Sequence, residues 1–401
     1  MRRRITLAAV ALSIGLGMSC RSKGTDDGSS SGGPNAGGFD KAALLRAFGE
    51  CSLSTYREFA PAAVELASAA ARAETEATPD ARAAARAAWT KAMAVWERAE
   101  LFQFGPTAQT SAPGGADLRA PIYAWPLFGR CLADQLIATK GYDDPGFGSS
   151  LVSTRSLAAA EYLLFYDGAD NGCPATASIN AQGQWAALGA PEIAKRKAAY
   201  ARVVTADVAT RAQQLLDLWD PAKGNFLGEL AGAGQSSKAF ASQKMAFNAV
   251  SDAMFFLDIQ VKNLKVGKPA GLTPDCVAGT CLDLVESPWA KRSKEHIRAN
   301  LAGYDQLLVG CGPAGQGLGF DDLLVAVGAE PIAKKLIATT VGIRVALDAL
   351  QQPTFEEDIQ KDPAGVQRLF DAIRANGSAM KAEFATVLDL ELPKTVEGDN
   401  D

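Results

Sequence analysis

Histidine is almost missing from this chain: His296 is the only one among 401 residues. A zinc site of the usual kind wants several imidazoles or paired thiolates, and neither a second histidine nor a C-x-x-C pair is present. His296 lies 15 residues beyond Cys281, in KRSKEHIRANL. Set among charges on an expected helix, it is read as a solvated surface residue. An excess of positive charge is lacking too, and the net charge of -5 argues against nucleic acid as a partner. Alternating β-branched patterns are scarce. No G-x-S-x-G, phosphate loop or dinucleotide fingerprint stands at a strand-to-helix junction, and GPAGQGLGF reads as a plain loop between helices. Beyond the first residues no segment approaches the 18 uninterrupted apolar residues of a membrane span.

What is present begins with a leader. Arg2, Arg3 and Arg4 precede an apolar run of 12 residues, Ile5 to Leu16, too short for a comfortable span but suited to a signal peptide. The run ends in GMSC, and Cys20 resembles the lipidated cysteine of a bacterial lipoprotein. Residues 1–20 are therefore expected to be leader and anchor. Residues 21–38, RSKGTDDGSSSGGPNAGG, form a Gly/Ser-rich tether. Arg21, not Asp, follows the anchor, which resembles the outer-membrane sorting pattern. The expectation is a body held at the periplasmic face of the outer membrane.

Six cysteines remain, an even number that in an exported chain reads as disulfides. Cys276 and Cys281 enclose four residues, short enough for a local clip. Cys131 and Cys173 flank one helix and can staple it to its neighbour. Cys51 is then left with Cys311. Fifteen pairings are possible for six cysteines, and this one is the expectation.

Ala, Leu, Lys, Arg and Glu dominate the long segments, so the fold class is all-α. Asp40 can cap a helix to about Glu74, and Thr78 with Pro79 opens a second that stops at Gly105-Pro106. Trp89, Met93, Trp96 and Glu100 share one face of it. A third helix is expected from Pro121 to Lys140, a fourth from Ser153, and a long one from Pro191 to Asp220. After the Gly-rich GELAGAGQ come helices from Ser236 to Val266, from Ser287-Pro288, and finally from Pro363 to Leu390. The two helix stops FQFGP and LLVGCGP are a weak internal echo of a duplicated helical unit. Antiparallel bundles are the natural packing.

AWTKAMAVWERAELFQFGP, YAWPLFGRCLADQ, TRSLAAAEYLLF and SKEHIRANLAGYDQLL followed by GLGFDDLL together resemble imelysin-like proteins, the family of the M75 peptidases and of iron-uptake-associated periplasmic proteins. The resemblance spans residues 39–390. It implies two four-helix bundles related by a pseudo-twofold, about 39–225 and 235–390, before an acidic tail, 391–401. The family hallmark is G-x-H-x-x-E followed by E-Y-L-L. Aligned here, its glutamate is Glu161, its glycine position holds Ser156, and its histidine position holds Ala158. Residues i and i+3 of a helix face the same way, so an imidazole and a carboxylate so spaced can meet one metal ion. A methyl group cannot.

Glu161 stands out because a buried acid must be paired, hydrogen-bonded, protonated or metal-bound. Two readings stay open: a carboxylate facing a polar cavity, opposite Glu100 or Arg155, and a structural acid bonded to a backbone amide or an arginine. Glu100 is expected to be exposed, and Tyr123 and Trp125 to be core aromatics rather than the lining of a cleft. Asp252, with Asp258 six residues on, suggests a second acidic position. A carboxylate cluster without histidine would suit a hard cation, ferric iron or calcium. The cofactor is thus unknown, a metal ion held by carboxylates being the candidate. The functional expectation is a non-catalytic binding or accessory protein linked to iron acquisition. An M75-type metallopeptidase and a partner-docking bundle, with a periplasmic protein in its cleft, are the alternatives.

Overall fold

The computed structural model describes residues 38–312, 316–394 and 396. The leader, the Cys20 anchor and the tether up to residue 37 lie outside the described residues, as does most of the acidic tail. The described residues are helical, with no strand among them. None of their helices is long and apolar enough to cross a membrane.

Local chemistry sets the first two helices where the capping signals put them. Helix α1, Lys41–Glu76, starts where Asp40 accepts the Ala43 N–H at 2.9 Å. It ends at Ala77, whose φ of 52° closes the last turn. Helix α2, Pro79–Ala99, starts with Thr78 accepting the Ala81 N–H, and Pro79 has no N–H to waste there. Trp89, Met93 and Trp96 are fully buried, as their shared face predicts.

The expected third helix is broken. Helix α3, Arg119–Ile122, stops as Tyr123 turns extended, and α4, Arg130–Thr139, begins seven residues later. The reason is Pro126, which has no amide to donate and keeps Trp125 out of the helical region. The Trp125-Pro126 bond is cis. Helix α5, Ser156–Phe165, carries Glu161; the short α6, Ser178–Ala181, and the long α7, Gly189–Trp219, complete this half.

In the second half, α8 is Phe226–Ala231 and α9 is Gln243–Met254, the latter capped by Ser242. The helix expected from Ser236 thus starts later and widens into a π-helical segment, Leu257–Gly267, before α10, Lys268–Ala270. Helix α11, Ser293–Leu308, also begins late, because Ser287 and Lys291 take φ of 55° and 59°. Helices α12, Phe320–Ala326, α13, Glu330–Asp348, α14, Phe355–Lys361, and α15, Pro363–Ala379, follow. The expected last helix is interrupted by a π-helical turn, Met380–Phe384, ahead of α16, Ala385–Val387.

Helix α1 packs along α2 and α7, α5 lies on α7 and α2, and α15 lies on α13 and the π-helical segment. The halves meet where α1 lies on α8 and α9 and where α11 lies on α2. Gly303 makes that contact possible: a Cβ there would lie 2.2 Å from the Arg98 carbonyl oxygen. The Cys51–Cys311 disulfide ties α1 to the second half across 260 positions. Cys131–Cys173 and Cys276–Cys281 close the other two bridges, so all three expected pairs are present.

Candidate functional site

The α2–α11 contact encloses a buried group of charges. Glu97 on α2 and Glu100 at its end are fully or almost fully buried, contrary to the exposure expected for Glu100. They face Lys265 from the π-helical segment. Its ammonium lies 2.5 Å from Glu97 Oε2, 2.9 Å from Glu286 Oε1 and 3.3 Å from Glu100 Oε2. Asn300 on α11 accepts from Lys265 at 2.9 Å and donates to Glu97 Oε2 at 3.0 Å. Tyr123 donates to Glu286 Oε1 at 2.9 Å, and Arg119 donates to Glu100 Oε1 at 3.0 Å. Tyr123 and Trp125 are buried, as expected of core aromatics, and the Tyr123 hydroxyl reaches Glu286.

His296 is not on the surface; it is 3 % exposed. Helical spacing explains this: His296, Asn300, Gly303 and Leu307 fall on one face of α11, away from Lys294, Glu295 and Arg298. Its Nδ1 lies 3.3 Å from Glu97 Oε1 and 3.4 Å from Glu286 Oε2. These three atoms are buried, and none has a hydrogen-bond partner. The opposite oxygens of both carboxylates are the ones that Lys265, Asn300 and Tyr123 hold.

Glu161 meets neither Glu100 nor Arg155 in a hydrogen bond. Arg155 pairs with Asp207 at 2.9 Å instead. Glu161 Oε1 accepts from Ser287 Oγ, Trp289 N and Ala290 N at 3.1, 3.0 and 2.9 Å, so the backbone-bonded reading of this acid is the observed one. It is not an isolated structural acid, however. The loop it grips, Glu286 to Lys291, also delivers Glu286, and Trp289 packs on Tyr162 and Phe128 of the first half. Ser156 opens α5 with φ of 86°, a value that favours glycine, and glycine is what the family motif places there. Its hydroxyl accepts the Ala124 N–H at 3.0 Å.

Burial pushes Glu161 up to about 7, although its three hydrogen bonds and the nearby His296 favour the charged form. Burial pushes Glu97 up as well. It acts upward on Glu286 too, but Lys265 and His296 outweigh it and hold that carboxyl down at about 2. For His296 burial favours the neutral ring, and the flanking Glu97 and Glu286 reverse this and raise it. Glu97, Glu100 and Glu286 face two fixed cations, Lys265 and Arg119, so the carboxylates outnumber the fixed cations by one. The second acidic position does not add to this group. Asp252 is exposed, and Asp258 pairs with Lys262 and Lys381.

Glu97, Lys265 and Glu286 do not stand out in the sequence. Lys265 carries no signal, because its place beside α2 is set by the π-helical turns around it. Glu286 has none beyond its place before Ser287-Pro288.

The fold and this interior define an all-helical protein whose polar groups converge between its halves. The imelysin model, Peptidase_M75, matches residues 52–380, and the chain belongs to the imelysin family. No curated protein sequence matches it. Among solved structures it is similar to a candidate iron-regulated protein A precursor from Parabacteroides distasonis. That likeness has a TM-score of 0.67 and 15% identity, over 88% of this chain and 95% of that one. An imelysin-like protein from Psychrobacter arcticum is similar at a TM-score of 0.63 and 16% identity, over 88% and 96%.

Proposed function

We propose that this chain is a non-catalytic binding protein of metal handling, with iron as the metal, exported and lipid-anchored through Cys20 at the periplasmic face of the outer membrane. The observation that carries the binding role is the buried charge group between the halves, where three carboxylates face only two fixed cations and two of their oxygens have no hydrogen-bond partner. An interior with that surplus favours a cationic ligand. The iron assignment draws support from the iron-regulated description of the Parabacteroides relative, and the anchor from the leader and GMSC.

The peptidase reading has one observation in its favour. Glu161, pushed up to about 7, has the affinity for protons that suits a general base. Against it, Glu161 Oε1 is already shared by three donors, and Ala158 leaves its helix without an imidazole.

Metal content after dialysis, together with cleavage of an unfolded protein substrate with and without chelator, decides between the readings. Retained metal and no chelator-sensitive cleavage are expected. Chelator-sensitive cleavage lost in Glu161→Ala would establish the peptidase instead, and a protein that takes up no metal would favour the partner-docking bundle.

A further inference from the structure

We infer that Glu97 Oε1, Glu286 Oε2 and His296 Nδ1 are the protein ligands of a divalent first-row transition cation, with His296 reaching the two carboxylates from the second half. The inference rests on the binding role proposed above and names its ligand set.

Three observations carry it. The first is spacing. One ligand atom from each of Glu97, Glu286 and His296 lies within 4.8 Å of the other two. Tetrahedral ligands about 2.0–2.1 Å from a metal stand roughly 3.3–3.4 Å apart. The Nδ1–oxygen separations, 3.3 and 3.4 Å, match that edge.

The second is division of labour within each carboxylate. Glu97 Oε2 takes Lys265 and Asn300, and Glu286 Oε1 takes Lys265 and Tyr123. Each carboxylate is thereby oriented by one oxygen and presents the other. Ligands fixed in this way by neighbouring donors are what a metal site needs.

The third is that the presented atoms are orphans. Buried polar atoms in folded proteins are nearly always partnered, yet these three are not. An imidazolium lying between the two carboxylates is the competing account. Its proton would have to serve contacts longer than the 2.7–2.9 Å of a charge-assisted hydrogen bond.

The donor set chooses the class of ion. Two carboxylate oxygens and one imidazole nitrogen suit Fe(II), Mn(II), Co(II) or Zn(II). All six cysteines of the body are in disulfides, so no thiolate is on offer for a soft ion.

Because the chain has one histidine, a single label reports on the site. The full chain, purified in detergent without a histidine tag and labelled with ¹⁵N only in histidine, is titrated with Zn(II) while the imidazole nitrogens are followed by NMR. The expected result is a shift of the Nδ1 resonance to that of a metal-bound imidazole, complete at one equivalent. Anaerobic competition assays with Fe(II) add variants. His296→Asn and Glu286→Gln should weaken binding by about 100-fold, and Tyr123→Phe, which only positions Glu286, by about 10-fold.

Zinc bound at one equivalent with an unchanged histidine spectrum would overturn the ligand set while leaving the binding role intact. No uptake of either ion would overturn both. The NMR experiment uses wild-type protein, so its outcome holds even if a variant fails to fold.

Discussion

Ser156 shows what a single backbone angle asks of a side chain. At φ of 86° a side chain is strained by about 1–3 kcal/mol, and the hydroxyl offsets part of this by taking the Ala124 amide. Ser156→Gly relieves the strain as it loses the bond and should be nearly neutral in stability. Ser156→Ala keeps the strain and orphans the amide, and should lose about 1–3 kcal/mol in urea denaturation. Equal losses in the two variants would mean that the angle is not a constraint. Glu161 predicts a pH dependence. Its folded carboxyl holds the proton up to about pH 7, whereas an unfolded one lets go near 4.5. The folded state is therefore favoured below pH 4.5, and that contribution is lost as pH rises through 7. Relative to Glu161→Gln, which keeps an oxygen for the three donors, wild type should lose up to about 3 kcal/mol between pH 4.5 and 7. Parallel stability curves for the two proteins would contradict the burial argument.

Among the helices, the capping chemistry of α1 and α2 is legible in the sequence because Asp40, Thr78 and Pro79 act on amides three residues away or fewer. The break at Trp125-Pro126 is legible only in part, since proline also opens helices, as Pro79 does. The π-helical segment is not legible: its wide turns place Lys265 beside α2, and that placement depends on partners distant in sequence. The late start of α11 has the same origin. Glu161 and the aromatic ring of Trp289 hold residues 287–290 out of the helix they would otherwise begin. Gly303 is the element-scale test. Gly303→Ala puts a methyl group against the Arg98 carbonyl and must push α11 off α2. A loss of about 1–3 kcal/mol in thermal or urea unfolding is expected, with weakened metal binding beside it. A variant as stable as wild type would show that the two helices have room to spare. The Cys51–Cys311 bridge ties α1 to the residues just beyond α11. Thiol titration of denatured, unreduced protein should find no free thiol among the six body cysteines, and several free thiols would contradict the pairing.

At the scale of the whole molecule, the helical class and the family can be read from separated motifs along the chain. The site cannot. Glu161 is conspicuous because it interrupts an apolar helix, and Glu100 because it shares a face with two tryptophans. His296, Glu286 and Lys265 look ordinary, because their setting is made by the packing of the second half on the first. The missing motif histidine points away from a metal, whereas the fold sets the chain's one imidazole between Glu97 and Glu286. What is proposed is thus a place as much as a chemistry: a cation held where α2 meets α11. Crystals of the protein loaded anaerobically with Fe(II), measured on either side of the iron absorption edge, put that placement to the test. One anomalous peak is expected, about 2.0–2.3 Å from Glu97, Glu286 and His296 alike. Iron bound at full stoichiometry with its peak elsewhere, and these three side chains still facing one another without it, would refute the placement.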